Sequence, residues 1–79
     1  MVHHNPATTA GCGDATPLVL AVQRELSCVG DPVVQDGIYG ASTYRAVLAF
    51  QMSAGLVADG LAGPHTRELM HDSCLAGDY

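Results

Sequence analysis

Two short stretches, Asp36-Gly37-Ile38-Tyr39-Gly40 and Asp59-Gly60-Leu61-Ala62-Gly63, decide how this chain folds. Each begins with an Asp-Gly pair, in which glycine supplies a positive φ at no steric cost and aspartate accepts a backbone N–H within its own turn. Each ends in a glycine, a residue that suits the N-cap of a helix. The sequence therefore predicts two turns, each of which opens a helix.

The two turns belong to a longer internal repeat. Leu20-Ala21-Val22-Gln23 precedes the first turn, as Leu48-Ala49-Phe50-Gln51 precedes the second. Thr43 and Thr66 follow the turns, so the aspartate, both glycines and the threonine recur at a spacing of 23 residues (36 to 59, 43 to 66). Each threonine falls at helix position N3, where its hydroxyl can bond back to the cap or the aspartate. We expect turn chemistry to explain the Asp-Gly pairs, and the two glutamines to be buried caps for loop carbonyls.

Apolar spacing completes the fold prediction. Thr16-Pro17 combines an N-cap with a proline at N1, and apolar residues recur at helical intervals from there to Val29. The predicted helices are 17–29, 41–54 and 64–73. We predict an all-α fold, a compact three-helix bundle built around the two Asp-Gly turns and the helix starts that follow them. The predicted segments are a flexible lead-in at 1–12, a folded module at 13–74 and a C-terminal tail at 75–79.

Length and charge exclude several classes of function. Seventy-nine residues allow one small domain. Eight acidic residues stand against three arginines and no lysine, a net charge of −5, which has the wrong sign for binding nucleic acid or an anionic membrane surface. No stretch is long enough to span a membrane, and the first residues lack the pattern of a signal peptide. We therefore expect no nucleic-acid partner and no membrane insertion, and expect either a longer exported parent chain or an excised module.

The core is thin enough to need a covalent crosslink. Cys12, Cys28 and Cys74 allow one disulfide with one thiol left over, and the sequence leaves all three pairings open. His71 and Cys74 are one helical turn apart, a spacing that suits two zinc ligands or a base and a nucleophile. No CxxC or HExxH pattern accompanies them. We expect no metal, no cofactor and no catalysis.

The order of these turns, helix patterns and matched residues along the chain resembles that of the peptidoglycan-binding domain-like family. The resemblance covers residues 13 to 70 and rests on Gly13-Asp14, Pro17, Val19, Val22-Gln23, Leu26, Gly30, the two Asp-Gly turns with Thr43 and Thr66, Ala46-Val47, Phe50-Gln51, Gly55-Leu56, Pro64 and Leu69. It implies a three-helix module that attaches amidases, carboxypeptidases or endolysins to murein, outside the cell or in the periplasm. Two residues depart from the family pattern. Thr16 stands where glycine is common and should improve the N-cap, and Arg67 stands where tryptophan is frequent.

The resemblance also implies a disulfide and a partner. Some members carry one cysteine ahead of helix 1 and another after helix 3, which favours a Cys12–Cys74 bridge and leaves Cys28 as a buried free thiol. The expected partner of a monomeric module is peptidoglycan, through its glycan strand or its stem peptide. Because the net charge opposes long-range attraction to anionic cell walls, binding must depend on short-range contacts. The candidate ligand-binding residues surround the two turns: Asp36, Tyr39, Thr43, Tyr44, Arg45, Asp59, Leu61, Thr66 and Arg67.

A second hypothesis is a protein–protein interaction or autoinhibitory module. The same fold resembles metalloprotease prodomains, in which a cysteine shortly after helix 3 blocks the zinc ion, and Cys74 has a similar place. The Pro-Arg-Cys-Gly-x-Pro-Asp stretch of those prodomains is absent. The state of Cys74 separates the two hypotheses, because a cysteine in a disulfide cannot bind the zinc of a protease.

Overall fold

Three helices form at the predicted helix starts: α1 (Pro17–Cys28), α2 (Ala41–Ser53) and α3 (Pro64–Ala76). They come from a computed structural model that describes residues 8–76, so the ends of the predicted lead-in and tail, 1–7 and 77–79, lie outside the described residues. The all-α, three-helix prediction is confirmed. α3 extends three residues beyond its predicted end, because no glycine or proline interrupts it before Gly77. Within the described residues, no helix has the length and apolar character needed to cross a bilayer.

The N-cap residues of α1 and α2 make no side-chain cap bond, and backbone carbonyls accept the first bonds at each helix start. The carbonyls of Gly40 and Gly63 accept hydrogen bonds from the N–H groups of Tyr44 (3.0 Å) and Arg67 (2.9 Å). At α1 the carbonyl of Thr16 accepts the N3 N–H at 3.0 Å, and the Thr16 side chain makes no cap bond. Its hydroxyl oxygen is buried without a partner among residues 8–76. The prediction that this threonine improves the cap is therefore wrong.

The core lies where α1 packs against α2 and α3. Its buried apolar residues are Ala10, Val19, Val22, Leu26, Tyr39, Val47, Phe50, Ala62 and Met70. Ala10 and Ala62 join the lead-in to the second turn by two reciprocal backbone bonds of 3.1 and 2.8 Å. Ala10 is fully buried although it precedes the predicted start of the folded module by three residues. The lead-in thus contributes to the core from at least this residue.

The disulfide joins Cys28 to Cys74, with Cα atoms 5.4 Å apart, so the predicted Cys12–Cys74 pairing is wrong. Cys28 is accordingly not a free thiol, whereas Cys12 is exposed and unpaired with another cysteine. The reason lies in the packing. Gly13 donates to the carbonyl of Tyr39 at 3.0 Å, which holds the segment around Cys12 beside the start of α2. The C-terminal ends of α1 and α3 meet instead.

Gly60 fits tightly under an aromatic ring, whereas its counterpart in the repeat does not. Gly60 and Gly37 have φ values of +75° and +76°. A Cβ atom added to Gly60 would overlap the ring of Tyr44, and one added to Gly37 would meet nothing within 4 Å. We expect Gly37→Ala to lower the free energy of unfolding by about 1–2 kcal/mol, the cost of a left-handed alanine. Gly60→Ala should lose a further ~1–3 kcal/mol through overpacking.

Urea unfolding of both variants measures this difference directly. The pair is matched, since both substitutions add one methyl group to a positive-φ glycine of an Asp-Gly turn. Equal losses in the two variants would contradict the close packing of Tyr44 on Gly60.

Candidate functional site

Gln23 ties the first Asp-Gly turn to two helices. Its Nε2 lies 3.1 Å from Asp36 Oδ1, 3.0 Å from the carbonyl oxygen of Ile38 and 3.0 Å from Thr43 Oγ1. Its Oε1 accepts the N–H of Gly37 at 2.9 Å. The glutamine side chain is completely buried. One amide of α1 therefore fixes both the turn and the first turn of α2.

Gln51 makes the same set of bonds to the second turn. Its Nε2 lies 3.0 Å from Asp59 Oδ1, 3.0 Å from the carbonyl oxygen of Leu61 and 3.2 Å from Thr66 Oγ1. Its Oε1 accepts the N–H of Gly60 at 3.0 Å. The prediction that the two glutamines are buried caps for loop carbonyls is confirmed.

Several predicted ligand contacts therefore lie inside the fold. Thr43 and Thr66 are 2% and 7% exposed, and both accept bonds from the glutamines. Tyr39 is 1% exposed, and its hydroxyl donates to the carbonyl of Gly60 at 2.5 Å. Burial raises the pKa of this phenol, with smaller contributions from nearby acidic groups. In this structure the three side chains are buried, and their hydrogen bonds lie within the fold.

The exposed predicted residues do not form one site. Tyr44 covers Gly60. The N–H of the half-buried Leu61 donates to Asp59 in the second turn, and its carbonyl accepts a bond from Gln51 of α2. Arg45 lines a shallow depression of about 380 Å³ beside the loop that follows α1. Arg67 lines a different and larger concavity. The structure thus separates the two arginines that the sequence places after the two threonines.

The larger concavity is a groove of about 590 Å³ between α1 and α3, which we call the α1–α3 groove. It is lined by Ala21, Val22, Arg24, Glu25 and Cys28 of α1 and by Pro64, Arg67, Glu68, Met70, His71 and Cys74 of α3. Val22 and Met70 are buried and form an apolar floor. Volume and lining match the usual ligand site, a largely apolar concavity with a few converging polar groups.

Charged groups of both signs rim the α1–α3 groove. His71 Nδ1 and Glu25 Oε2 are 3.1 Å apart across the two helices. Arg67 donates from Nη2 to the carbonyl of Thr8 at 2.6 Å, while its Nε is buried without a partner among the described residues. An unpaired buried donor is costly, so this Nε lowers the stability of the fold.

Arg67 is one of the predicted ligand contacts, whereas four other polar residues that line the groove are not: Arg24, Glu25, Glu68 and His71. The spacing of apolar residues in the sequence does not indicate that α1 lies beside α3. The correct choice among the three cysteine pairings would have given the missing signal, because a Cys28–Cys74 bridge requires the ends of these helices to be adjacent.

Cys74 is committed to the disulfide and is not free to act with His71 as a nucleophile or a zinc ligand. Within residues 8–76, no group of three His, Cys, Asp or Glu side chains is arranged to hold a metal ion. The same disulfide removes the free thiolate on which the prodomain-like hypothesis depends.

The turn geometry predicts a contribution of Asp36 to acid stability. Hydrogen bonds from the Ile38 N–H and from Gln23 hold the pKa of Asp36 below its ordinary value of 3.8. Because the folded-state pKa is the lower one, this stability is present above the unfolded pKa and is lost as the pH falls through the folded pKa. We expect Asp36→Asn, whose amide oxygen still accepts both bonds, to lose less stability than the wild type below about pH 4. Urea unfolding at stepped pH tests this, and identical pH profiles would contradict it.

Comparison with known proteins matches this chain to one family. A family model described as "Putative peptidoglycan binding domain" matches residues 15–70. A search of curated proteins found no match. Three similar solved structures are a Clostridioides difficile peptidoglycan-binding protein in complex with glutamine hydroxamate, the endolysin of Burkholderia phage AP3, and the N-terminal domain of SleB.

The C. difficile protein is 34% identical, with a TM-score of 0.78, over 85% of this chain and 42% of that one. The endolysin is 44% identical, with a TM-score of 0.78, over 81% of this chain and 25% of that one. The SleB domain is 31% identical, with a TM-score of 0.79, over 84% of this chain and 92% of that one. This chain thus spans less than half the length of the first two structures. With the family model covering most of its length, the chain belongs to the peptidoglycan-binding domain family.

Proposed function

We propose that this chain is a non-catalytic, monomeric module that binds peptidoglycan through the α1–α3 groove. In this role it holds an attached or associated cell-wall hydrolase, such as an amidase, carboxypeptidase or endolysin, on murein. The observation that carries the proposal is the groove itself, a concavity of about 590 Å³ with an apolar floor and a charged rim.

The charge distribution supports local recognition. The chain has a net charge of −5 and only three arginines, yet two of them, Arg24 and Arg67, line this one groove. Long-range attraction to anionic wall polymers is therefore absent, while arginine side chains are available for charge-assisted hydrogen bonds at short range.

A non-catalytic role agrees with the chemistry of the groove. Cys74 is oxidised in the disulfide, so it is not a free nucleophile. The family to which the chain belongs is a family of binding domains. We therefore assign bond cleavage to the partner domain rather than to this module.

The disulfide supports a site of action outside the cytoplasm. Disulfides of this kind form and persist in oxidising compartments. We propose that the module works in the cell wall, in the extracellular or periplasmic space, as part of an exported or phage-released protein.

Co-sedimentation with purified sacculi tests the function and the site together. Ala21→Trp places an indole in the groove, and Ala49→Trp makes the same change at an exposed position of α2 that does not line the groove. We expect the wild type and Ala49→Trp to sediment and Ala21→Trp to stay in the supernatant. Wild-type protein that remains wholly in the supernatant would contradict peptidoglycan binding. Equal sedimentation of all three proteins would contradict the groove as the site.

A further inference from the structure

We infer that the α1–α3 groove takes the peptide part of peptidoglycan, a short peptide carrying free carboxylates and an amine, rather than the glycan strand. This inference rests on the proposed function and names the chemical class that the groove recognises. It depends on the charges of the rim, the chemistry of the floor and the length of the groove.

The rim offers complementary groups for a peptide of mixed charge. Arg24 and Glu68 stand on the two helices that form the groove, both are exposed, and no ion pair engages either within residues 8–76. Arg67 lies on the α3 side with its Nε unpaired among the described residues. The exposed guanidinium group of Arg24 suits a carboxylate, because the planar donor pair of arginine bonds carboxylate oxygens in a bidentate manner. Glu68 provides the matching acceptor for an ammonium group.

The floor suits small side chains better than sugar rings. Ala21, Val22 and Met70 are aliphatic, and none of the residues that line the groove is a phenylalanine, tyrosine or tryptophan. Sugar rings present polar hydroxyls around an apolar face that packs best on an aromatic ring, whereas the methyl groups of alanine residues fit an aliphatic floor. The chain has few aromatic residues, and both Tyr39 and Tyr44 are placed outside this groove.

The length of the groove fits about four residues. Its α3 wall runs from Pro64 to Cys74, which is about 15 Å at the helical rise per residue. An extended peptide of four residues spans about 13–14 Å. Murein stem peptides are of this length, and they combine alanine methyl groups with several carboxylates and an amine.

Titration of the full chain with the two separated parts of murein tests the inference. The probes are a synthetic tetrapeptide of alanine, γ-linked glutamate, diaminopimelate and alanine, and peptide-free glycan strands released by an amidase. We expect calorimetry to detect binding of the peptide and not of the glycan. NMR shift changes should map to the groove faces of α1 and α3.

Two matched changes identify the carboxylate contact. Arg24→Gln should weaken peptide binding about tenfold, as expected for loss of a charge-assisted hydrogen bond. Amidating the peptide carboxylates should weaken binding to the wild type by a similar factor. The same amidation should weaken binding to Arg24→Gln by a smaller factor, because this variant already lacks the arginine contact. Ala49→Glu changes the net charge by the same amount at an exposed position of α2 outside the groove, and it should keep the wild-type affinity.

The possible failures are distinguishable. Glycan binding without peptide binding would overturn the inference, and so would unchanged peptide affinity in Arg24→Gln. Absence of binding to both fragments would also overturn it, and sedimentation of the wild type with sacculi would then show that the proposed function stands. If the wild type also fails to sediment with sacculi, both the proposed function and the inference are contradicted.

Discussion

Removal of the Cys28–Cys74 disulfide should lower the free energy of unfolding by about 4 kcal/mol. The bridge joins residues 46 apart, and a crosslink that closes a loop of this length removes about that much chain entropy from the unfolded state. A domain of this size has roughly 4–12 kcal/mol of stability in total. The bridge should therefore supply about a third or more of the total stability.

Three measurements examine this expectation. Urea unfolding with and without a dithiol reductant gives the loss for the wild type, and Cys28→Ala/Cys74→Ala should match the reduced protein. Cys12→Ala is the matched control, because this exposed cysteine is outside the bridge and should leave stability within about 0.5 kcal/mol of the wild type. A thiol assay on unfolded, unreduced protein should find one thiol per chain. Three thiols, or a midpoint unaffected by reductant, would contradict the bridge.

Gln51→Met should destabilise the protein by about 3–5 kcal/mol. Methionine keeps the approximate volume of the side chain but removes the donors and acceptor that bond Asp59, Leu61, Thr66 and Gly60. Gly60 and Thr66 are buried, so water cannot readily replace the lost bonds. Each buried polar group left without a partner costs about 1–3 kcal/mol.

Gln35→Met is the matched control for this substitution. Gln35 is exposed, and its bond to Ser27 is long at 3.4 Å, so its loss should change stability by less than about 0.5 kcal/mol. Urea or thermal unfolding of the two variants measures the difference. Similar stabilities would show that the amide of Gln51 is not required to hold the second turn.

The helix starts were predictable from the sequence because their causes are local. An Asp-Gly pair sets its turn through the positive φ of glycine and a bond that the aspartate accepts from the N–H two residues along the chain. The helix after each turn begins at the predicted residue, Ala41 or Pro64. The matched positions of Gln23 and Gln51 in the repeat also pointed to equivalent roles, and their bonding patterns are the same.

The roles of the candidate ligand contacts are harder to predict, because the same residue types serve structure and recognition. Thr43 and Thr66 have the right position to face a ligand or a buried glutamine, and only the packing of the preceding helix decides between these roles. Tyr39 is likewise drawn into the core by its hydrogen bond to Gly60, a residue 21 positions away.

By itself the sequence determined the three helices, the two turns and the family, since these follow from interactions within a few residues and from their order along the chain. Only the tertiary structure decided which cysteines pair and where a groove opens. Both depend on α1 lying beside α3, a contact between segments 46 residues apart at the disulfide. Burial of the shared apolar core sets that contact, and burial is non-directional, so helical spacing identifies the faces to be buried but not their neighbours.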